Sequence, residues 1–241
     1  MLHAIHQNKA GRGTYVQLNW REVFKGCEDT LTSAVFGPLF HLPPEVFWQL
    51  LQSSFSQLQL PINTNTKLLG YQFWPRWDAA GTANARDVEP DLFIRTSDFD
   101  LIIEAKRYDV PQQYATQWEN EVQAYFNEFG VGARPVFVLA IGGFEAGDEA
   151  PSLIGAGNSQ VTVFKGRWRN LLAAARYLRT QLTAVDSWAV SNTLTDIIRG
   201  FELHGFTVTD WFATLPRQDL APLRLQAGLC LLLTTNTAQH A

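Results

Sequence analysis

The sequence predicts an α/β protein: a mixed sheet flanked by helices, continued by a mainly helical C-terminal extension. Three observations predict it. Apolar runs of strand length recur at 66–74, 91–94, 101–103, 136–141 and 160–164. Longer stretches at 18–39, 110–129 and 167–182 carry apolar residues at three- and four-residue intervals. The order is a helix, three strands, a helix and a further strand, which suits helices packed on a sheet.

Taken in order, residues 1–14 are polar and read as a flexible arm. Residues 15–184 form the main domain, and 185–241 an extension packed on it. In 18–39, Phe24, Cys27, Leu31 and Val35 trace one buried face, with Gly26 weakening the helix locally. Glu28 sits four after Phe24 and three before Leu31, on the apolar stripe, whereas Asp29 falls off it. Leu42-Pro43-Pro44 stops this element, and 45–55 starts another helix. The run 66–74 is the first strand of a meander, and 78–88 reads as a loop. Pro90-Asp91 opens the second strand, Glu104-Ala105-Lys106 closes the third, and Thr96-Ser97-Asp98-Phe99-Asp100 turns between them.

The helix at 110–129 buries Tyr114, Trp118, Val122, Tyr125 and Phe129. Gln117 and Glu121 lie on or beside that face, and Gln123 points away. The run 136–141 is apolar throughout, as in a strand covered on both sides. Residues 142–158 read as a Gly-rich acidic loop, 160–164 as a strand. The helix at 167–182 has an apolar side and Arg167, Arg169, Arg176 and Arg179 elsewhere, a solvated face or a phosphate contact. Residues 194–204 are helical and end at Gly205. Trp211 and the cluster 229–233 have no assigned element.

With 46% hydrophobic and 17% charged residues, the chain has ample material for a core. Cys27 and Cys230 are too few for a disulfide framework and lack zinc-site spacing, which points to a reducing cytoplasm. There is no signal-peptide core, and the apolar cluster 229–233 is too short to span a bilayer, so no membrane is expected. The five histidines form no ligand pattern, and no P-loop or Ser-His-Asp motif occurs.

Chemistry concentrates in the proposed hairpin. If the second and third strands pair, Asp91 meets Glu104 at one end of the sheet. Glu104 and Lys106 are two apart and share a face. Two carboxylates on apolar strands repel unless a cation lies between them, and a hard divalent metal takes oxygen ligands.

Pro-Asp followed by Glu-x-Lys on paired apolar runs resembles the PD-(D/E)XK nuclease superfamily, the restriction-endonuclease-like fold. The resemblance covers about residues 20–165. It implies a Mg2+-dependent endonuclease, Mn2+ substituting, that hydrolyses phosphodiesters of DNA in preference to RNA. By weaker analogy it implies bacterial restriction or anti-phage defence. Asp91, Glu104 and the Ala105 carbonyl would bind the metal. Lys106 would orient the attacking water, and Glu28 would bind through water or complete a second site. Gln117 would orient Lys106 or the water, with Gln113 as second choice. The rival is a non-catalytic nucleic-acid-binding or scaffold subunit of the same fold; retention of every motif residue favours the enzyme. The net charge of −4 is unusual for a solitary DNA binder. Arg76, Arg86 and Arg107, near the motif, are the candidate phosphate contacts, supplemented by a partner protein or a homodimer mate.

Overall fold

The computed structural model describes Ile5 and residues 19–55, 57–62, 66–108, 110–132, 134–157, 159–182 and 188–207. Of the 1–14 arm only Ile5 is described, and it is buried. Trp211 and the 229–233 cluster lie outside the described residues. The chain divides into two compact units, Met1–Thr207 and Val208–Ala241, and the second is wholly outside them.

The helical pattern at 18–39 is interrupted. Helix α1 spans Trp20–Gly26 and α2 spans Glu28–Leu39, with Cys27 extended between them (φ −97, ψ 128). Gly26 is the weak point, and Thr30 Oγ1 lies 2.9 Å from the carbonyls of both Phe24 and Cys27, which also accept the backbone N–H groups of Cys27 and Leu31. The break makes Glu28 the first residue of α2 rather than a mid-helix one. Helix α3 (Pro44–Ser54) begins with Pro44 in the first turn, where a missing N–H costs nothing.

Three antiparallel strands follow: β1 (Leu68–Phe73), β4 (Leu92–Thr96) and β5 (Asp100–Ala105). The loop expected at 78–88 closes on itself as a small hairpin, β2 (Trp77–Asp78) with β3 (Asp87–Val88). Helix α4 (Ala115–Phe129) starts five residues later than its periodicity suggests. Pro111 disfavours helix for the residue before it, and the chain instead pairs Gln112 N–H with Gly143 O at 3.2 Å. Strand β6 (Val136–Ile141) then runs parallel to β5, and β8 (Ser159–Gly166) parallel to β6. Within the expected loop 142–158 lies a strand, β7 (Ser152–Ala156), pairing antiparallel with β8. Its alternation is short and carries Gly155, which hides it in the sequence.

The result is a mixed six-stranded sheet, order β1-β4-β5-β6-β8-β7. On one face pack α2, α3, α5 (Trp168–Gln181) and α6 (Trp188–Leu203) over a large core with Leu31, Phe36, Leu51, Leu101, Ile103 and Trp168. On the other, α4 packs with the small hairpin over Ile102, Val138, Val163, Trp118 and Tyr125. Strand alternation therefore sends Leu101, Ile103 and Ala105 to the four-helix side, and Ile102 and Glu104 to the α4 side. No described helix is long and apolar enough to cross a membrane.

Candidate active site

β4 and β5 pair with Leu92 opposite Ile103, which places Asp91 beside Glu104 at the next step of the ladder. The Asp91 side chain accepts the Ala105 N–H at 2.7 Å. Pro90 precedes it, and the Asp91 carbonyl accepts from Trp74 N–H at 3.2 Å. Trp74 is the one described non-glycine residue with positive φ, at 48°, so backbone strain sits against the motif. Asp91 and Glu104 are 8% and 2% exposed, so neither carboxylate is a solvated surface charge. Lys106 Nζ donates to Glu104 Oε1 and lies 3.4 Å from the Ala105 carbonyl.

Two helices contribute further groups. Glu28, at the first turn of α2, accepts the Arg107 N–H at 2.6 Å, and its other oxygen lies 3.7 Å from Lys106 Nζ. A helix-start carboxylate is also favoured by the dipole, so Glu28 reaches the site from a position that stabilises it locally. Asp29 is exposed. Gln117 of α4 donates to Glu104 Oε1 at 2.6 Å. Gln113, just before α4, donates instead to the Glu104 carbonyl at 3.2 Å and accepts from Trp118 Nε1 at 2.8 Å. Both glutamines thus brace Glu104, one at its side chain and one at its backbone.

Sequence reasoning placed Glu121 on or beside the buried helix face but gave it no role in the site. One turn after Gln117 on α4, it is 2% exposed and hydrogen-bonds Glu104, while its Oε2 is buried with no partner. The four-residue spacing from Gln117 was the available signal, since such pairs share a helix face.

The centre is overloaded with negative charge. Burial, then the Glu104 charge, pushes the Asp91 carboxyl up to about 8. Burial, the Glu104 charge and the shared hydrogen bond hold Glu121 well above the usual carboxylate range. Burial works to lower Lys106, but Glu104, Glu28 and Asp91 outweigh it and the ammonium pKa rises. A raised lysine is a charge partner here, not a free base.

Backbone packing brings the loop after β6 against this cluster. Gly142 has φ 67° and Gly143 φ 73°. A Cβ on Gly142 would overlap the Lys106 carbonyl oxygen, and one on Gly143 would lie 2.7 Å from Gln113 Cγ. These glycines, at the start of the Gly-rich loop, permit close approach to Lys106. Trp168 Nε1 completes the bracing by donating to the Lys106 carbonyl at 2.9 Å.

The three arginines expected near phosphate differ. Arg86 is exposed. Arg76 is exposed but paired with Glu89 at 2.9 Å and Asp87 at 3.7 Å. Arg107 corrects the expectation: it is 8% exposed, and its guanidinium binds the His204 carbonyl at 2.8 Å and lies 3.3 Å from His204 Nδ1. It ties the end of β5 to the end of α6 rather than reaching solvent. Burial, then Arg107, pushes the His204 imidazole down to about 4, which keeps it neutral beside the guanidinium.

The donor set suits a hard divalent cation. Asp91, Glu104 and the Ala105 carbonyl present oxygen atoms on one short stretch of sheet, and Glu121 Oε2 is a buried oxygen without a partner. No group of three His, Cys, Asp or Glu side chains among the described residues is arranged as a metal cage. Magnesium needs few carboxylates because it keeps several waters.

No family model matches the chain, and no solved structure matches it. The chain is similar to PM0110, an uncharacterized protein of Pasteurella multocida (strain Pm70): 28% identical, over 91% of this chain and 87% of that protein.

Proposed function

We propose that the protein is a divalent-metal-dependent nuclease with a restriction-endonuclease-like core, hydrolysing phosphodiesters of DNA in preference to RNA. One observation carries the reading. Asp91, Glu104, Glu28 and Glu121 gather around a single ammonium, Lys106, where burial makes uncompensated negative charge costly. A bound Mg2+ would supply that compensation, together with Lewis-acid activation of water and phosphate. Asp91, Glu104 and the Ala105 carbonyl would hold it, with Glu28 acting through water.

The chain's own groups have separable tasks. Gln117 fixes the Glu104 carboxylate. Lys106, charged and held between Glu104 and Glu28, stabilises negative charge developing at the phosphate and orients the attacking water. The Gly142-Gly143 turn and Trp168 hold the Lys106 backbone in place.

The deciding experiment is a cleavage assay on plasmid, linear duplex, single-stranded DNA and RNA, with Mg2+, Mn2+ or EDTA. Metal-dependent cleavage that disappears in Asp91→Ala and Glu104→Ala supports the reading. Full activity in either variant removes the mechanism. Folded protein with neither cleavage nor divalent-cation binding would favour a scaffold of the same fold. Lys106→Arg should rescue poorly, because a planar guanidinium does not replace a compact ammonium.

A further inference from the structure

Lys165 lies on the same sheet face as the candidate active site. In the strand registers Glu104 pairs with Ala140, and Ala140 with Lys165. Along β8, Val161 and Val163 enter the α4-side core, so Lys165 continues their face. Arg167 follows in extended conformation, φ −119 and ψ 148, and continues the alternation. Two strand spacings separate the Glu104 and Lys165 rows, about 10 Å. The backbone joins the two places directly: Lys106 N–H donates to Ile141 O at 2.7 Å, and Gly142 N–H to Gly166 O at 2.8 Å.

Both cations are largely shielded from water, their side chains 14% and 22% exposed. Lys165 Nζ lies 5.4 Å from the Phe144 ring centroid and 6.0 Å from that of Trp118. Their anionic partners come from the acidic loop after β6, and the fit is poor. Asp148, 67% exposed, is 3.9 Å from Lys165, beyond hydrogen-bond length. Glu149 Oε1 is 2.7 Å from Arg167 Nε, yet that buried N–H has no hydrogen-bonded acceptor. Glu149's other oxygen accepts from Gly147 N–H at 3.1 Å, within its own loop. Two sheltered cations on the active-site face therefore meet carboxylates by charge and not by directed hydrogen bonds. A tetrahedral oxyanion offers more acceptor directions to a guanidinium and an ammonium than these carboxylates do.

We propose that Lys165 and Arg167 form a subsite for a backbone phosphate of the nucleic acid beside the candidate active site, and that Asp148 and Glu149 occupy it until the nucleic acid displaces them. The inference rests on the nuclease reading and addresses how a chain of net charge −4 holds a polyanion. The displaced carboxylates would then sit in solvent, so binding costs the two ion pairs and recovers phosphate contacts.

The test uses the full chain and a short labelled DNA duplex with EDTA present, followed by anisotropy across salt concentrations. Lys165→Gln with Arg167→Gln should weaken binding and lower the slope of log affinity against log salt by about 1, the share of one phosphate contact. Asp148→Asn with Glu149→Gln should tighten binding about 3- to 10-fold. Mn2+ binding, measured by calorimetry, should match the parent in both double variants. Unchanged affinity and slope in the first, or unchanged or weaker binding in the second, overturns the subsite while metal-dependent cleavage leaves the nuclease reading standing. If the first pair does not fold, the loop pair decides alone, since its substitutions lie outside the core. A parent chain that neither binds nor cleaves nucleic acid overturns both readings.

Discussion

Strand β5 carries a buried acid at each end, and the two are treated in opposite ways. At its start Asp100 is fully buried. Arg95 donates to it at 3.0 and 3.3 Å, Tyr125 Oη at 2.8 Å, and Arg134 Nε lies 3.6 Å away. One carboxylate faces two guanidinium groups and a hydroxyl, and the cluster is closed. At its end Glu104 shares one ammonium with Asp91, Glu28 and Glu121. In the first cluster cations surround a single carboxylate; in the second carboxyls outnumber cations, and Asp91 and Glu121 are pushed toward their protonated forms. Burial is common to both; the proposed function rests on the surplus of carboxyls over cations at the second.

The comparison breaks most visibly at the chemistry. Glu104→Ala or Asp91→Ala is expected to reduce metal-dependent cleavage by about 10³-fold or more, while the melting temperature without metal stays level or rises. Steady-state cleavage beside a thermal melt checks both halves. A large loss of stability with Glu104→Ala would mean that the two ends of β5 do not differ.

Next is the closed cluster. Asp100→Ala leaves two guanidinium groups without their buried partner and should cost about 3–5 kcal/mol, measured by urea unfolding. Asp91→Asn, which replaces a carboxyl that favours its protonated form at neutral pH, should be near neutral for stability. Equal losses in both variants would erase the distinction.

A smaller effect concerns cation and proton together. Asp91 is raised from 3.8 to about 8 in the folded chain. A carboxyl with a raised folded pKa contributes stability that is present below its unfolded value and lost as pH rises toward the folded one. A bound cation must displace that proton. Mn2+ affinity should therefore rise about tenfold per pH unit from pH 6 to pH 8 and then level. Calorimetry in buffers of different ionisation enthalpy should show about one proton released, and a flat profile would argue against a proton on the Asp91–Glu104 pair.

The smallest expected change is at Glu121. Glu121→Gln keeps the shape and the hydrogen bond to Glu104 but removes the carboxyl, so cleavage should fall only severalfold, about 3- to 10-fold. Metal-free stability should change little, because the amide replaces a carboxyl whose buried site already favours the neutral form. A loss as large as that of Glu104→Ala would place Glu121 among the metal-binding groups.

Much of this was legible in the chain because local patterns encode it. Strand β6 is predicted and found over the same residues, as its uninterrupted apolar run requires a strand covered on both faces. The β4–β5 hairpin and the Asp91–Glu104 adjacency follow from two apolar runs around a polar turn. The phase of α4 put Gln117 toward the sheet. Other features had weak local signals. Strand β7 is exposed at alternate positions and interrupted by Gly155, so only pairing with β8 makes it a strand. The break at Cys27 follows Gly26, a single weak helix former inside an otherwise continuous periodic pattern.

By itself, then, the sequence determined which strand residues meet in the candidate site, because alternation and periodicity are properties of a few neighbouring residues. Tertiary structure alone decided their charge state and company. Glu121 becomes a site residue only when α4 docks over Glu104. Arg107 turns from a candidate surface cation into a buried tie because His204 arrives from 97 residues away. Lys165 joins the same face as Glu104 only through two parallel registers. Electrostatic energy depends on distance and on the water excluded between charges, and neither is set until the distant parts of the chain have packed.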